Sequence, residues 1–187
     1  MIEIRIHGRG GQGSAVAVQI LAAAAFEEDY YGRASIAVGG GERRGAPVFA
    51  FCKIDKEKIR EQTKIQNPDY LIVQDVTLLD VVNVFDGLKP GGTAIMNTEK
   101  KPEELCIPEE VGLKGVKIVT VPASRIAAET IGAPITNTTL LGAFAAVSGL
   151  ISIDSIKKVI KQRFPGARGD KNAEAAQKTY DLVKERL

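Results

Sequence analysis

The chain has few of the residues that bind metals and redox centres. It has two cysteines, Cys52 and Cys106, which are far apart and form no Cys-x-x-Cys motif, and one histidine, His7. An iron–sulfur cluster or a structural zinc ion generally needs three or four clustered ligands. We therefore expect this chain to bind no metal and to carry no redox centre of its own. A disulfide between the two cysteines is not favoured in the cytosol.

Long apolar runs and an excess of charge are missing as well. No segment reaches the roughly 18 consecutive apolar residues of a membrane-spanning helix, and the first residues alternate charged and apolar side chains, unlike a signal peptide. The 25 basic and 23 acidic residues leave a net charge of +2, which argues against a nucleic-acid or membrane-surface role. These absences predict a cytoplasmic protein with no nucleic-acid and no membrane partner.

Strand-like and helix-like segments alternate along the 187 residues. Strands are predicted at 2–7, 33–38, 47–54, 69–74, 93–97 and 116–121, and helices at 14–28, 77–88, 124–131, 136–150, 153–164 and from Asp170, as a cap, through Lys184. The gap between the second and third strands is too short for a crossover helix. The pattern predicts a single domain over residues 1–187, a three-layer α/β/α fold with a mostly parallel or mixed sheet.

Two glycine-rich loops each follow a strand-like run. The first loop is Gly8-Arg9-Gly10-Gly11-Gln12-Gly13, and the second is Gly39-Gly40-Gly41-Glu42-Arg43-Arg44-Gly45-Ala46-Pro47. Glycine allows backbone amides to approach another molecule closely, and arginine supplies a permanent planar charge that suits phosphate or carboxylate. We expect the two loops to lie along one rim of the sheet and to contact another molecule.

The first loop has the spacing of a dinucleotide-binding turn. Gly8, Gly10 and Gly13 satisfy the Gly-x-Gly-x-x-Gly pattern between a strand and a helix. The acidic residue expected at the end of the second strand is absent, although Arg43 and Arg44 could suit the 2′-phosphate of NADP. A stand-alone NADP-binding, Rossmann-like protein is therefore one alternative. The other is a tight turn that only lets the helix pack on the sheet, since this motif alone is weak.

The residues of both loops resemble those of a known family, the gamma subunits of 2-oxoacid:ferredoxin oxidoreductases, and pyruvate synthase (pyruvate:ferredoxin oxidoreductase) is the closest type. The resemblance continues in order along nearly the whole chain. Its further motifs are Asn67-Pro68-Asp69, Asn97-Thr98, Asn137-Thr138-Thr139-Leu140-Leu141-Gly142-Ala143 and Phe164-Pro165-Gly166. One departure is that the chain has Ile36-Ala37-Val38 and three glycines where relatives often carry an aromatic residue before the Glu-Arg pair. This departure leaves the docking partner and the substrate class less defined.

The resemblance implies an enzyme that interconverts a 2-oxoacid with an acyl-CoA and CO₂. Thiamine diphosphate, Mg²⁺, CoA and the iron–sulfur clusters would belong to the assembled complex and not to this chain alone. The partners would be the alpha, beta and ferredoxin-like delta subunits, with ferredoxin as the electron acceptor. The resemblance places Arg9, Gln12, Glu42, Arg43 and Arg44 at the face toward the catalytic subunits.

No set of nucleophile, base and orienting group is recognisable in the sequence, so we expect no catalytic residue in this chain. His7 is predicted to be a packed or surface residue near the end of a strand, and Asp75 to be a helix cap or loop anchor. The residues predicted at the interface or near the cofactor are Gly8, Arg9, Gly10, Gly11, Gln12, Gly13, Glu42, Arg43, Arg44 and Gly45. An anion-binding regulatory domain that works alone remains a third possibility, and Glu42 could instead hold Arg44 within the subunit.

Overall fold

The computed structural model describes residues 1–37, 44–60 and 64–187 of the chain. The strands are β1 (Ile2–Arg9), β2 (Tyr31–Ala37), β3 (Pro47–Asp55), β4 (Tyr70–Val73), β5 (Thr93–Asn97) and β6 (Lys117–Val121). The helices are α1 (Ser14–Phe26), α2 (Glu109–Leu113), α3 (Ala123–Ile131), α4 (Thr136–Ser148), α5 (Ile153–Arg163) and α6 (Ala167–Lys184), with 3-10 helices at Val76–Asp80 and Pro102–Glu104.

The six strands form one mixed sheet in the order β2-β3-β1-β4-β5-β6. β1, β4, β5 and β6 run parallel to one another, whereas β3 is antiparallel to both of its neighbours, β1 and β2. After β1 the chain first builds the β2–β3 side of the sheet and then returns to build β4 on the other side. The carboxyl ends of β1 and β4 therefore meet at the point where the strand order reverses, which is where open α/β sheets bind their ligands.

Different layers cover the two faces of the sheet. Alternate residues of β1, such as Ile4 and Ile6, point into the large core formed with α1, α3, α4, α5 and α6. On the second face a smaller core covers part of the sheet, and it includes Leu78 of the first 3-10 helix and Val111 of α2. The odd-numbered positions of β1 lie on this second face because successive side chains of a strand point to opposite sides.

The predicted α/β class and mixed sheet are confirmed, and the predicted strands agree with the observed ones within two residues. The prediction of a helix at 77–88 is wrong: a 3-10 helix, Val76–Asp80, is followed by turns. In these turns the Asn83 side chain accepts a hydrogen bond from the Phe85 amide at 3.2 Å, and Gly87 has a φ of 69°. Such local side-chain bonds compete with helix formation.

The predicted cap of the last helix is also wrong. The helix begins at Ala167, after Gly166, and Asp170 lies within its first turn, where it pairs with Lys161 at 2.9 Å. In the described ranges, no helix combines the length and the apolar character that crossing a lipid bilayer would require.

Candidate functional site

The first loop is a short, internally bonded turn between β1 and α1. The Gln12 amide donates to the Arg9 carbonyl at 3.0 Å, and the Arg9 amide donates to the Gln12 side-chain oxygen Oε1 at 2.7 Å. Gly11 and Gly13 have φ values of 94° and 78°, a left-handed conformation that favours glycine. Hydrogen bonds within the loop therefore stabilise its conformation.

Two glycines of the first loop lie close to polar side chains that would have to move if a Cβ were added. A Cβ added to Gly8 would lie 2.3 Å from Oε1 of Gln74, and one added to Gly13 would lie 2.4 Å from Nδ2 of Asn137. Gly11 is different, because the nearest atom to its added Cβ is Cγ of Arg44 at 3.9 Å. The first and last glycines of the motif therefore lie against side chains that follow β4 and begin α4, which agrees with the tight-turn interpretation.

The described part of the second loop lies directly beside the first. The Gly10 amide donates to the Ala46 carbonyl at 2.8 Å, and the Gly45 amide donates to the Gly10 carbonyl at 3.1 Å. This contact follows from the antiparallel pairing of β1 and β3, in which Arg9 is opposite Pro47. The prediction of a common rim is therefore confirmed for residues 44–46. Gly39, Gly40, Gly41, Glu42 and Arg43 lie outside the described residues.

The two described arginines of this rim have different surroundings. Arg9 donates from Nε to Asp75 at 3.0 Å, from Nη1 to the Gly45 carbonyl at 3.0 Å and from Nη2 to the Thr77 hydroxyl at 2.6 Å. Its guanidinium thus joins the first loop, the second loop and the segment after β4. Arg44 is exposed, and among the described residues it has no hydrogen-bond or ion-pair partner.

Asp75 anchors the start of the 3-10 helix, as predicted. Its side chain accepts from the Thr77 amide at 3.0 Å and from the Arg9 guanidinium. Partial burial raises the pKa of Asp75, but the hydrogen bonds from Thr77 and the charge of Arg9 outweigh burial and hold the pKa below its ordinary value. Asp75 therefore remains ionised and keeps Arg9 in place.

A crevice of about 460 Å³ opens beside the first loop, at the carboxyl ends of β1, β4 and β5. In its wall, Nδ2 of Asn97 donates to the Gln74 carbonyl at 2.9 Å and to the Ser124 hydroxyl at 2.8 Å. The Ser14 hydroxyl, in the first turn of α1, donates to the side chain of Gln74. Sequence reasoning did not single out Gln74 or Ser124. The signal that could have identified Gln74 is its position, since it is a polar residue directly after the buried parallel strand β4.

His7 and the cysteines take structural positions. His7 is 2% exposed, so of the two predicted positions, packed or surface, it takes the packed one, and β1 continues beyond it to Arg9. Cys52 is buried, and burial raises the pKa of its thiol, whereas Cys106 is exposed. Within the described residues, no three His, Cys, Asp or Glu side chains form a group that could hold a metal ion.

The fold gives no support to the NADP-binding alternative. A dinucleotide-binding sheet places its second strand beside the first, in parallel, after the crossover helix. Here α1 leads to β2, which lies at the edge of the sheet, and the antiparallel β3 separates it from β1.

Comparison with known proteins gives one consistent result. The family model for pyruvate ferredoxin/flavodoxin oxidoreductase matches residues 3–182. Pyruvate synthase subunit PorC of Methanothermobacter marburgensis is 51% identical over 184 residues, which cover 98% of each chain. The common gamma subunit of the pyruvate/ketoisovalerate oxidoreductases of Thermococcus kodakarensis is 50% identical over 181 residues, 97% of this chain and 96% of the relative. The crystal structure of pyruvate oxidoreductase subunit PORC from Thermotoga maritima superposes with a TM-score of 0.80 at 36% identity, covering 96% of this chain and 95% of that one. Loop motifs, sheet order and full-length similarity agree, and the chain belongs to the pyruvate ferredoxin/flavodoxin oxidoreductase family.

Proposed function

We propose that this chain is the gamma subunit of a multisubunit 2-oxoacid:ferredoxin oxidoreductase, with pyruvate as the favoured 2-oxoacid. The complex makes or consumes an acyl-CoA and CO₂, and ferredoxin exchanges the electrons. Relatives over almost the full length carry the names PorC and common subunit gamma, and these names refer to pyruvate and ketoisovalerate enzymes. This similarity supports the role of gamma subunit. The names of the relatives are compatible with either pyruvate or ketoisovalerate as the 2-oxoacid.

In this proposal, other subunits hold thiamine diphosphate and the iron–sulfur clusters, while Mg²⁺ and CoA belong to the assembled complex and are not bound by this chain alone. The alpha, beta and ferredoxin-like delta subunits are the direct partners. This chain supplies no bond-making group and contributes backbone amides and arginine charge at the face toward the catalytic subunits. Its location in the cell would be the cytoplasm.

The observation that carries the proposal is the rim formed by the two loops. Gly10 exchanges backbone hydrogen bonds with Gly45 and Ala46, so the loops form one continuous surface. Arg9 and Asp75 brace this surface from within, while Arg44 stays exposed beside Gly11. An exposed guanidinium on a preorganised backbone surface suits a carboxylate or phosphate presented by a partner.

The test is the double substitution of Arg43 and Arg44 by alanine in the assembled complex. Loss of a charge pair that becomes buried on docking costs roughly 2–5 kcal/mol. We therefore expect subunit affinity to fall at least about 30-fold and CoA-dependent ferredoxin reduction to fall with it. Analytical ultracentrifugation and a ferredoxin-reduction assay measure the two effects.

The matched control is Arg163→Ala, an exposed arginine in the last turn of α5, outside both loops. We expect this variant to assemble and to turn over like the unmodified complex. If the Arg43/Arg44 variant has the same association constant and the same CoA dependence as the control, the docking role of the rim is wrong.

A further inference from the structure

β6 is one of the two edge strands of the sheet, and a groove of about 450 Å³ lies along it. The groove is lined by residues 99–102 of the loop after β5, by residues 117–120 of β6 itself, and by the end of α6 with the residues that follow this helix. It shares no residue with the glycine-rich loops or with the crevice beside them. The groove is therefore a separate feature of the surface, at the edge of the sheet opposite to β2.

Two residues of β6 direct their backbone polar groups away from the sheet. The amide of Lys117 donates to the Gly92 carbonyl at 2.9 Å, and the carbonyl of Val121 accepts from the residue after β5 at 2.9 Å. Lys117 and Val121 therefore face β5, and in a parallel pair alternate residues of a strand face the same neighbour. It follows that Ile118 and Thr120 present their N–H and C=O groups to the open edge.

These outward groups are mostly free. Within the described part of the chain, the Thr120 carbonyl accepts from the exposed Arg186 guanidinium at a long 3.4 Å, and the other outward groups have no partner. Unpaired strand groups are a template for one more strand, and proteins use them in β-augmentation, where main-chain hydrogen bonds supply affinity. A peptide suits this edge better than a nucleic acid, because a peptide has both donors and acceptors at strand spacing.

The groove is basic. Its side-chain charges are four cations and one carboxylate, namely Lys100, Lys101, Lys117, Arg186 and Glu99. The carboxylate already lies 3.6 Å from an arginine of α3. The four cations are exposed, and none has an ion-pair partner among the residues that the structure describes. Uncompensated cations of this kind select an acidic partner, because complementary charge steers association and suppresses wrong partners.

Apolar side chains lie between these charges. Ile118 packs against the smaller core and Val119 against the large one, and both are half-buried. Because successive side chains of a strand point to opposite sides, the groove reaches both faces of the sheet at its edge. Leu187 adds an apolar side chain that is 57% exposed. The lining therefore suits a segment in which acidic and apolar residues alternate.

We propose that the edge of β6 binds an extended acidic segment of a partner polypeptide, which adds to the sheet as a further strand. The backbone of this segment pairs with Ile118 and Thr120, and its carboxylates lie beside the four cations of the groove. This inference does not depend on the proposed gamma-subunit role, because the edge and the rim share no residue.

The test is a titration of the full ¹⁵N-labelled chain with the peptide Ac-VEVEVE-NH2 at pH 7, followed by the backbone amide signals of Ile118 and Thr120. Ac-VQVQVQ-NH2 is the neutral control. A third probe is the acidic peptide with every backbone amide N-methylated, which keeps the charge and removes the strand donors. We expect saturable shifts with the acidic peptide, at least about three-fold weaker binding of the neutral one, and no saturable shift with the N-methylated one.

A pair of substitutions provides the second measurement. Lys100→Gln with Lys117→Gln removes two cations of the groove and leaves the backbone of β6 in place. The matched control is Lys58→Gln with Lys171→Gln, two exposed lysines outside the groove that have no ion-pair partner in the described ranges. We expect the acidic peptide to bind at least about two-fold more weakly to the first variant and unchanged to the control.

Three results would overturn the proposal. The first is the absence of saturable shifts at the two outward residues of β6. The second is equal binding of the acidic and the neutral peptide, which would mean that the lysines only keep copies of the chain apart. The third is tighter binding of a single-stranded oligothymidylate than of the acidic peptide, which would assign the cations to nucleic acid. The titration of the unmodified chain decides between these outcomes even if a variant does not fold.

Discussion

Polar side chains occupy every second position of β1 on the second face of the sheet. These positions are Glu3, Arg5, His7 and Arg9. Glu3 lies 3.5 Å from Lys53 and 3.8 Å from Lys89, and Arg9 binds Asp75. A strand at the centre of a sheet would ordinarily carry apolar residues here. The row is tolerated because nearly all of its donors and acceptors are paired.

At the scale of the residue, the lowered pKa of His7 should make the stability of the folded chain depend on pH. Its pKa in the folded chain is about 3, below the ordinary value of 6.5. As pH falls below 6.5, the unfolded chain binds a proton that the folded chain excludes, so stability decreases with falling pH until about pH 3. At pH 5 this loss is about 2 kcal/mol relative to pH 7 or above.

Urea unfolding at pH 7 and pH 5 measures this loss, with His7→Gln as the control. We expect the free energy of unfolding of this variant to change little between the two pH values. The carboxylates with lowered pKa, Glu28, Asp55 and Asp75, lose their contribution mainly below pH 5, as the pH falls through their folded pKa values. An equal decrease in the variant would assign the pH dependence to other groups.

At the scale of the element, the contact between α4 and α6 organises the helical layer. Segment 136–150 has no charged residue, and α4 is buried within the domain, with Leu140 and Phe144 in the large core. The Thr138 hydroxyl donates to Oδ1 of Asn172 at 2.7 Å across the two helices. The apolar character of this segment is therefore accounted for by the interior of the domain.

Gly142 allows this close approach, and its substitution should be strongly destabilising. A Cβ added to Gly142 would lie 1.9 Å from the carbonyl oxygen of Ala176, an atom of the α6 backbone. An alanine in an ordinary helix position stabilises by up to about 1 kcal/mol relative to glycine. For Gly142→Ala we expect the opposite sign, with a loss of about 2–4 kcal/mol, because two packed helices must separate.

Gly112→Ala is the control for this substitution. Gly112 lies in α2, has a negative φ, and an added Cβ would meet no atom within 4 Å. Thermal and urea unfolding of both variants should give a large loss for Gly142→Ala and no loss for Gly112→Ala. Two equally stable variants would show that the helical layer adapts to the extra methyl group.

At the scale of the whole molecule, Arg9 and Arg44, the two arginines of the rim that lie in the described residues, have different roles. Arg9 joins three segments that are distant in sequence, whereas Arg44 contacts solvent. In the isolated chain, Arg9→Ala should cost about 1–2 kcal/mol of stability, since it removes partly buried charged hydrogen bonds. Arg44→Ala should change stability by less than about 0.5 kcal/mol.

Differential scanning calorimetry of the isolated chain distinguishes these expectations. The effects on subunit association should have the reverse order. Relative to the stability that each substitution costs, Arg44→Ala should weaken association more than Arg9→Ala. A large loss of stability for Arg44→Ala in the isolated chain would show that the side chain serves its own fold, and the rim would then lack its exposed charge.

The amino-acid sequence was sufficient to predict the alternation of strands and helices, a helix at 136–150, the glycine-rich loops and the family resemblance. These features depend on local periodicity and on short motifs in a fixed order, and both can be read directly from the residues. The contact between the loops was also predictable in part, because residues that follow strands running in one direction reach the same edge of a sheet.

Which segments are neighbours could be seen only in the folded chain. In the folded chain, β3 lies between β1 and β2, and Arg9 binds Asp75. The crevice is lined by Gln74, Asn97 and Ser124. A 3-10 helix and turns take the place of the helix expected at 77–88. The lowered pKa of His7 likewise depends on burial and on the charge of Arg5. These outcomes depend on packing between distant segments, whereas periodicity records only which face of its own element a residue occupies.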